Sequence, residues 1–145
     1  MTKEETLQIL AMLSAYYGEG KSDVKTMVKA WHLIIGEFDY IIAERAIVEF
    51  AKNDTRDYAS FPTPGAIVKA IKKQKGIYSL IFNTIYHNGS YRELPEVAQR
   101  IISEDGFEQM KAKDKTQLLN EREKIIETFI KRDNDKGLLT AKGDC

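Results

Sequence analysis

Two histidines and three pairs of neighbouring carboxylates are the side chains whose types suit acid–base chemistry. His32 and His87 are the only histidines, and they lie on different predicted helices. Metal sites and nucleophile–base pairs usually draw on more groups than two imidazoles so far apart in sequence. A carboxylate becomes a general acid only in a desolvating apolar pocket, so we interpret the acidic pairs as solvated helix faces. The pairs are Glu4 with Glu5, Glu104 with Asp105, and Glu121 with Glu123.

The chain carries none of three short motifs that identify common catalytic sites. It has no His-Glu-x-x-His, no glycine-rich phosphate loop ending in Gly-Lys-Ser/Thr and no Gly-x-Ser-x-Gly. Its one cysteine, Cys145, is the last residue, which excludes an internal disulfide framework and a zinc site of paired cysteines. We therefore predict a protein that is not an enzyme and needs no metal or cofactor. A small hydrolase built around His32 or His87 stays open as an alternative, and it requires an apolar cleft beside one of them.

Charge is balanced in the whole chain and in each half. The 145 residues include 22 Lys and Arg against 22 Asp and Glu; residues 1–75 hold 11 basic and 10 acidic side chains, and residues 76–145 hold 11 and 12. A domain that binds nucleic acid by bulk electrostatics usually has a strong basic excess. The balance therefore favours recognition of another protein by shape and apolar contact, with DNA contact weak or absent.

Nothing in the sequence predicts membrane insertion or export. No apolar run approaches the roughly 18 residues that a membrane span requires. Glu4 and Glu5 stand where a signal peptide needs a basic and then an apolar stretch. We expect an intracellular protein.

Side chains that cap helix N-termini mark the first three helices. Thr2 and Glu5 have the spacing of a capping box, and Asp23 and Asp39 stand before the next two apolar patterns. The first helix is predicted over residues 3–17. The positions predicted to be apolar helix faces are Leu7, Leu10, Leu13 and Tyr17, then Val24, Met27, Val28, Trp31, Ile34 and Ile35, then Tyr40, Ala43, Ala46, Ile47 and Phe50.

The motif Phe61-Pro62-Thr63-Pro64 precedes the fourth predicted helix. Proline restricts the residue before it to extended geometry, and Thr-Pro is a favourable cap and first turn, so this helix should begin at Pro64. Gly76 then leaves two alternatives open, one long helix that bends or two helices that meet. The apolar positions are Ile67, Val68 and Ile71 before Gly76, and Ile77, Leu80, Ile81 and Ile85 after it.

The second half of the chain also has helical periodicity. Asn88-Gly89 predicts a turn, and a shorter helix follows Pro95 and ends before Gly106. The last helix is predicted from residue 116 to about residue 132, followed by a polar, frayed tail. No segment alternates cleanly between apolar and polar residues, so we predict no strand.

These patterns predict an all-α protein. About four N-terminal helices form a small bundle, and further helices follow. We predict a helical domain over residues 1–75, a helical C-terminal region over residues 76–132 that packs on the first domain or on a partner, and a flexible tail over residues 133–145.

Four lysines form the sharpest local concentration of charge, on the fourth helix. Lys69, Lys72, Lys73 and Lys75 share one side at spacings i, i+3, i+4 and i+6. Contact with phosphates would add affinity that depends on salt and not on base sequence. A solvated helix face, helped by the dipole at the helix C-terminus, is the alternative interpretation. These lysines are the residues we predict for nucleic-acid contact, if any occurs.

Apolar and basic residues lie side by side on the last predicted helix, in a composition typical of a helix that docks into a groove. An apolar stripe that does not fold back on the rest of the chain would need a partner protein, because soluble monomers rarely leave a large apolar patch exposed. Intramolecular packing is the other alternative. The predicted partner-binding residues are Ile125, Ile126, Phe129, Ile130, Lys131 and Arg132.

The first half of the chain resembles phage replicative-helicase loader/inhibitor proteins. The similar features are Trp31, residues 40–46, Phe50 and the motif at residues 61–64, together with residues 5–17. The resemblance covers about the first 75 residues. It implies a small helical N-terminal domain in a phage or prophage protein of a Gram-positive host. Such proteins bind the hexameric replicative helicase, keep it inactive and help to deliver it to an origin marked by an initiator.

We therefore predict a non-enzymatic DNA-replication protein in the cytoplasm of the host bacterium. It would bind the hexameric replicative helicase or the host helicase loader and control helicase loading or activity, with a phage origin-binding initiator as a further partner. The alternative is a DNA-binding replisome organiser or regulator that uses the helix from Lys69 to Lys75. In the best-known members of the family the region after the helical domain is flexible and carries the helicase contact, whereas residues 77–132 here have helical periodicity.

Overall fold

The fold is all-α, as the sequence predicted. A computed structural model describes residues 1–19, 22–56 and 60–143, with side chains described as far as residue 135; Cys145 lies outside this range. Within the described residues there is no strand. The helices are α1 (Lys3–Tyr17), α2 (Val24–Ile35), α3 (Tyr40–Lys52), α4 (Pro64–Tyr86), α5 (Glu96–Gln99), α6 (Glu104–Lys111), α7 (Lys115–Asn120) and α8 (Arg122–Gly143), with a 3-10 turn at Tyr91–Glu93.

The chain divides into two compact units, Met1–Gln74 and Lys75–Cys145. The division falls within α4, so the first unit contains α1 to α3 with the N-terminal half of α4. The second unit contains the rest of α4 and the remaining helices.

The N-terminal caps of the first unit form as predicted. The Thr2 hydroxyl accepts from Glu5 N at 3.1 Å while the Glu5 carboxylate accepts from Thr2 N at 2.7 Å, which completes the capping box. Asp23 accepts from Thr26 N at 2.9 Å at the start of α2, and Asp39 caps α3 in the same manner. Each cap satisfies a backbone N–H that has no partner inside the helix, and so it fixes where the helix begins.

The core of the first unit contains one or more large residues from each of its helices. Trp31 packs edge-on against Phe61, with 6.0 Å between ring centroids, and this contact joins α2 to the segment before α4. Burying a large apolar side chain contributes about 1.5–3 kcal/mol, so these residues dominate the stability of the unit. The fully buried ones include Ile9, Leu13, Ile35, Ile47, Ile67 and Ile71.

Helix α4 is one continuous helix through Gly76, which settles the two alternatives at that residue. It begins at Pro64, where the Thr63 hydroxyl accepts from Ala66 N at 3.2 Å. A Cβ at Gly76 would meet nothing within 4 Å. The glycine is therefore a weak point of helix propensity and has no packing role at this position.

In the second unit, the turn after α4 forms where Asn88-Gly89 predicted it. Asn88 adopts a positive φ of 58°, and Gly89 N donates to Thr84 O at 2.7 Å. The Tyr91 hydroxyl then lies 2.9 Å from both the Gln99 and Ile102 carbonyls, which ties the 3-10 turn to α5 and the residues after it. A single side chain thus organises a segment with little regular structure of its own.

Two helix boundaries in the second unit differ from the sequence prediction. Gly106 lies inside α6, which the sequence did not predict as a helix; the Ser103 hydroxyl caps α6 by accepting from Gly106 N at 3.1 Å. The predicted helix over residues 116–132 is two helices, α7 and α8, separated by Glu121. Helix α8 continues to Gly143, so the segment predicted as a tail begins inside it.

Candidate partner-binding surfaces

The six residues predicted for partner binding on α8 divide by burial. Ile125 and Phe129 are 6% and 0% exposed, so both belong to the core of the second unit. Ile126 and Ile130 are half-buried, and Lys131 and Arg132 are exposed. Only the last four can offer surface to another molecule without unfolding of the helix.

Two side-chain contacts hold α8 within the second unit. The Tyr78 hydroxyl on α4 donates to the Asp133 carboxylate at 2.5 Å, and both residues are buried. The Arg122 guanidinium lies over the Phe82 ring, 5.4 Å from its centroid, in a cation–π contact. These contacts orient α8 so that Phe129 faces inward.

The four lysines on α4 are all exposed. At about 100° of rotation per residue, Lys69, Lys72 and Lys73 lie within about 100° of one another, and Lys75 lies about 60° beyond Lys72. The buried Ile71 points away from this group of lysines. The lysines therefore form a solvated stripe, which suits either of the two interpretations drawn from the sequence.

The two histidines occupy unrelated surroundings. His32 is half-buried, and its Nδ1 lies 2.9 Å from the Thr6 hydroxyl oxygen, a bond that joins α2 to the fully buried Thr6 of α1. His87 is exposed, and its ring packs edge-on against Tyr86. Neither imidazole pairs with a carboxylate in the part of the chain that the structure describes, so neither has the orienting partner of a catalytic base.

A polar cluster of Tyr17, Asp54 and Arg56 ties the end of α1 to the segment after α3. The Tyr17 hydroxyl donates to the Asp54 carboxylate at 2.6 Å, and the Arg56 guanidinium donates to both oxygens of that carboxylate at 2.9 and 2.8 Å. Hydrogen bonds from Arg56 and Tyr17 hold the pKa of Asp54 well below its usual value. Burial, with a smaller effect of Asp54, raises the pKa of Tyr17 to about 12. The arrangement keeps the carboxylate ionised and the phenol neutral, which suits a structural link.

Two exposed apolar residues were predicted to lie in the core. Leu7 on α1 is 44% exposed and Val24 at the start of α2 is 63% exposed, although both follow the apolar period of their helices. Periodicity gives the direction of a side chain around its helix but not whether another element covers it. These residues line a groove between α1 and α2.

The described residues hold no group of three His, Cys, Asp or Glu side chains that could bind a metal ion. Over the same range of the chain, no helix is both long enough and apolar enough to span a bilayer.

The first unit belongs to a known class of small helical domains from phage DNA replication. Residues 1–68 match the family model for the N-terminal domain of phage replicative-helicase loader/inhibitor proteins. This part of the chain is therefore a member of that loader/inhibitor family, which confirms the resemblance found in the sequence. No curated protein and no solved structure shows significant similarity to the chain.

Proposed function

We propose that this protein binds the hexameric replicative helicase of its host, or the host helicase loader, and controls helicase loading or activity without catalysis of its own. The observation that carries the proposal is the membership of residues 1–68 in the N-terminal domain family of phage helicase loader/inhibitor proteins. That family consists of helicase loaders and inhibitors that are not enzymes themselves. The proposal extends this role from the first unit to the whole chain.

The partner contact is assigned to the exposed part of α8. Ile126 and Ile130 are half-buried and lie one helical turn apart, beside the exposed Lys131 and Arg132. Apolar side chains flanked by cations can bury against a partner while the charges pair at the rim of the interface. Ile125 and Phe129 support this surface from inside because they fix the rotation of α8.

Binding of the purified full chain to a purified hexameric replicative helicase, measured by biolayer interferometry, tests the proposal. We expect micromolar or tighter affinity and a changed ATPase or DNA-loading rate of the helicase. The double variant Lys131→Glu/Arg132→Glu should weaken binding at least tenfold, since it reverses two rim charges without disturbing the core. Lys113→Glu, an exposed lysine outside α8, is the matched control and should bind normally.

Two results would contradict parts of the proposal. Failure to bind both the helicase and the host loader at micromolar concentrations removes the function itself. Normal binding by the α8 double variant leaves the function intact but removes α8 as the contact. An origin-binding initiator is proposed as a further partner, and the same assay with the phage initiator tests it.

The exposed lysines of α4 favour one second candidate, a DNA-binding regulator of the replisome. Lys69, Lys72 and Lys73 occupy one face of the helix and are all solvated. Three or four phosphate contacts would give weak binding that falls steeply with salt.

A further inference from the structure

A groove between α1 and α2 is an exposed apolar feature of the first unit that the proposed function does not use. It has a volume of about 540 Å³ and is lined by Lys3 and Leu7 from α1 and by Val24, Lys25, Val28 and Lys29 from α2. Leu7, Val24 and Val28 provide the apolar part of the lining. Three lysines provide all of its charge.

The lysines of the groove have no ion-pair partner in the first unit. In the part of the chain that the structure describes, no carboxylate oxygen lies within 4.0 Å of the ammonium group of Lys3, Lys25 or Lys29. All three side chains are exposed. Because the chain as a whole is neutral, three unpaired cations around one apolar groove are a local excess that a negatively charged partner would complement.

An adjoining cavity of about 470 Å³ extends the same groove past Leu7 and Val24, where Glu19 and Asp23 replace the lysines in its lining. Asp23 is already engaged as the cap of α2, through two bonds to Thr26. The basic end of the groove is therefore the end with charges left to satisfy. Its apolar walls, two helices side by side, match the shape that accepts a third helix by ridge-and-groove packing.

The geometry points to a docking site for an acidic amphipathic helix of a partner protein. Its apolar face would bury against Leu7, Val24 and Val28, and Glu or Asp beside that face would pair with Lys3, Lys25 and Lys29. An apolar face with anchors at i, i+3 or i+4 and i+7 fits the spacing of two exposed turns. The site belongs to the first unit, and it is separate from the helicase contact assigned to α8.

A selection from a randomised library of helical peptides tests this assignment. The library is panned on the immobilised full chain and counter-selected against the Val24→Asp variant. We expect the enriched peptides to carry apolar residues at helical spacing with Glu or Asp on either side. Enrichment of basic or uncharged peptides, or of no peptide sensitive to Val24→Asp, overturns the assignment.

One enriched peptide then serves as a probe in fluorescence anisotropy. Its Kd for the full chain should rise at least tenfold in Val24→Asp and in Lys25→Glu/Lys29→Glu, and the version with Lys in place of Glu should bind the double variant better than the wild type does. Leu33→Asp is the matched control, because Leu33 is 81% exposed on the opposite face of α2. Circular dichroism of each variant checks that the helices are intact.

Two further outcomes would give the groove to another occupant and overturn the assignment. Duplex DNA that competes with the peptide and loses affinity in the double lysine variant would make the groove a phosphate site. A dimer of the wild type that dissociates in Val24→Asp, seen by analytical ultracentrifugation, would make it a contact between two copies of the chain.

Discussion

The Tyr78 hydroxyl donates a 2.5 Å hydrogen bond to the Asp133 carboxylate, and the two residues are 55 positions apart in the chain. Both are buried, at 1% and 7% exposure. A buried carboxylate is costly unless hydrogen bonds satisfy it. The pair therefore fixes where α8 lies on the second half of α4, and with it which residues of α8 remain exposed for a partner.

Loss of the Asp133 carboxylate should destabilise the second unit. We expect Asp133→Ala to lower the free energy of unfolding by about 1–3 kcal/mol, because the Tyr78 hydroxyl loses a buried acceptor. Asp135→Ala is a matched control, since Asp135 is exposed on the same helix and gains the same helix propensity. Urea unfolding followed by circular dichroism measures both. Equal stability of the two variants would show that the Tyr78–Asp133 bond does not contribute.

Local capping signals were sufficient to predict the first unit. Thr2, Asp23 and Asp39 each satisfy backbone N–H groups within the next three residues, so the start of each helix depends on chemistry that is adjacent in sequence. The motif at residues 61–64 acts in the same local way. All four helices of this unit begin where these signals predicted.

The second unit was predicted less well because its structure depends on contacts that are distant in sequence. Asp133 looked like the first residue of a polar tail, and only a tyrosine 55 residues earlier makes it part of the core. Gly106 looked like a helix stop, yet Ser103 caps a helix that includes it. Leu7 and Val24 show the same limit in the first unit, since their apolar period is correct but no further element covers them.

Two glycines allow a matched test of backbone space. At Gly36, which ends α2, a Cβ would lie 2.9 Å from His32 Cε1 and 3.0 Å from His32 Nδ1, so the histidine must move. We expect Gly36→Ala to destabilise the chain by about 1–3 kcal/mol through overpacking. At Gly76 a Cβ meets nothing within 4 Å, and Gly76→Ala should stabilise α4 by about 0.5–1 kcal/mol. Thermal unfolding distinguishes the two, and a destabilised Gly76→Ala would argue against an uninterrupted α4.

The Tyr17 phenol should titrate late. Its folded-state pKa is about 12 against an ordinary value of 10.0, so folding favours the neutral form. The stability that this preference contributes is fully present below pH 10 and is lost as the pH rises through about 12. Ultraviolet absorbance of the phenolate should show one fewer late-titrating tyrosine in Tyr17→Phe, while Tyr40, whose pKa burial also raises to about 12, still titrates late. An unchanged titration curve would contradict the assignment.

Asp54 should contribute on the acid side, with the opposite sign. Hydrogen bonds from Arg56 and Tyr17 lower its pKa in the folded state, so its contribution is present above the ordinary value of 3.8 and is lost as the pH falls through the lowered folded-state pKa. We expect Asp54→Asn to be less stable than the wild type at neutral pH and the difference to shrink in strong acid. Urea midpoints across this range measure it, with the exposed Glu19→Gln as control. A difference that is constant with pH would show that the charge of Asp54 is not what stabilises the link.

The lysine stripe of α4 separates the proposed function from its DNA-binding rival. Lys72→Glu/Lys73→Glu reverses two exposed charges that point away from the buried Ile71, so folding should be unaffected. If the chain acts as a helicase-binding protein, its affinity for the helicase should stay within about twofold of the wild type. Filter binding to duplex DNA should detect only weak affinity in the wild type, since four phosphate contacts would give a salt slope of only about −3.6 on duplex DNA. Salt-sensitive DNA binding that this variant abolishes, together with helicase binding that it leaves undetectable, would instead make the α4 stripe the functional surface.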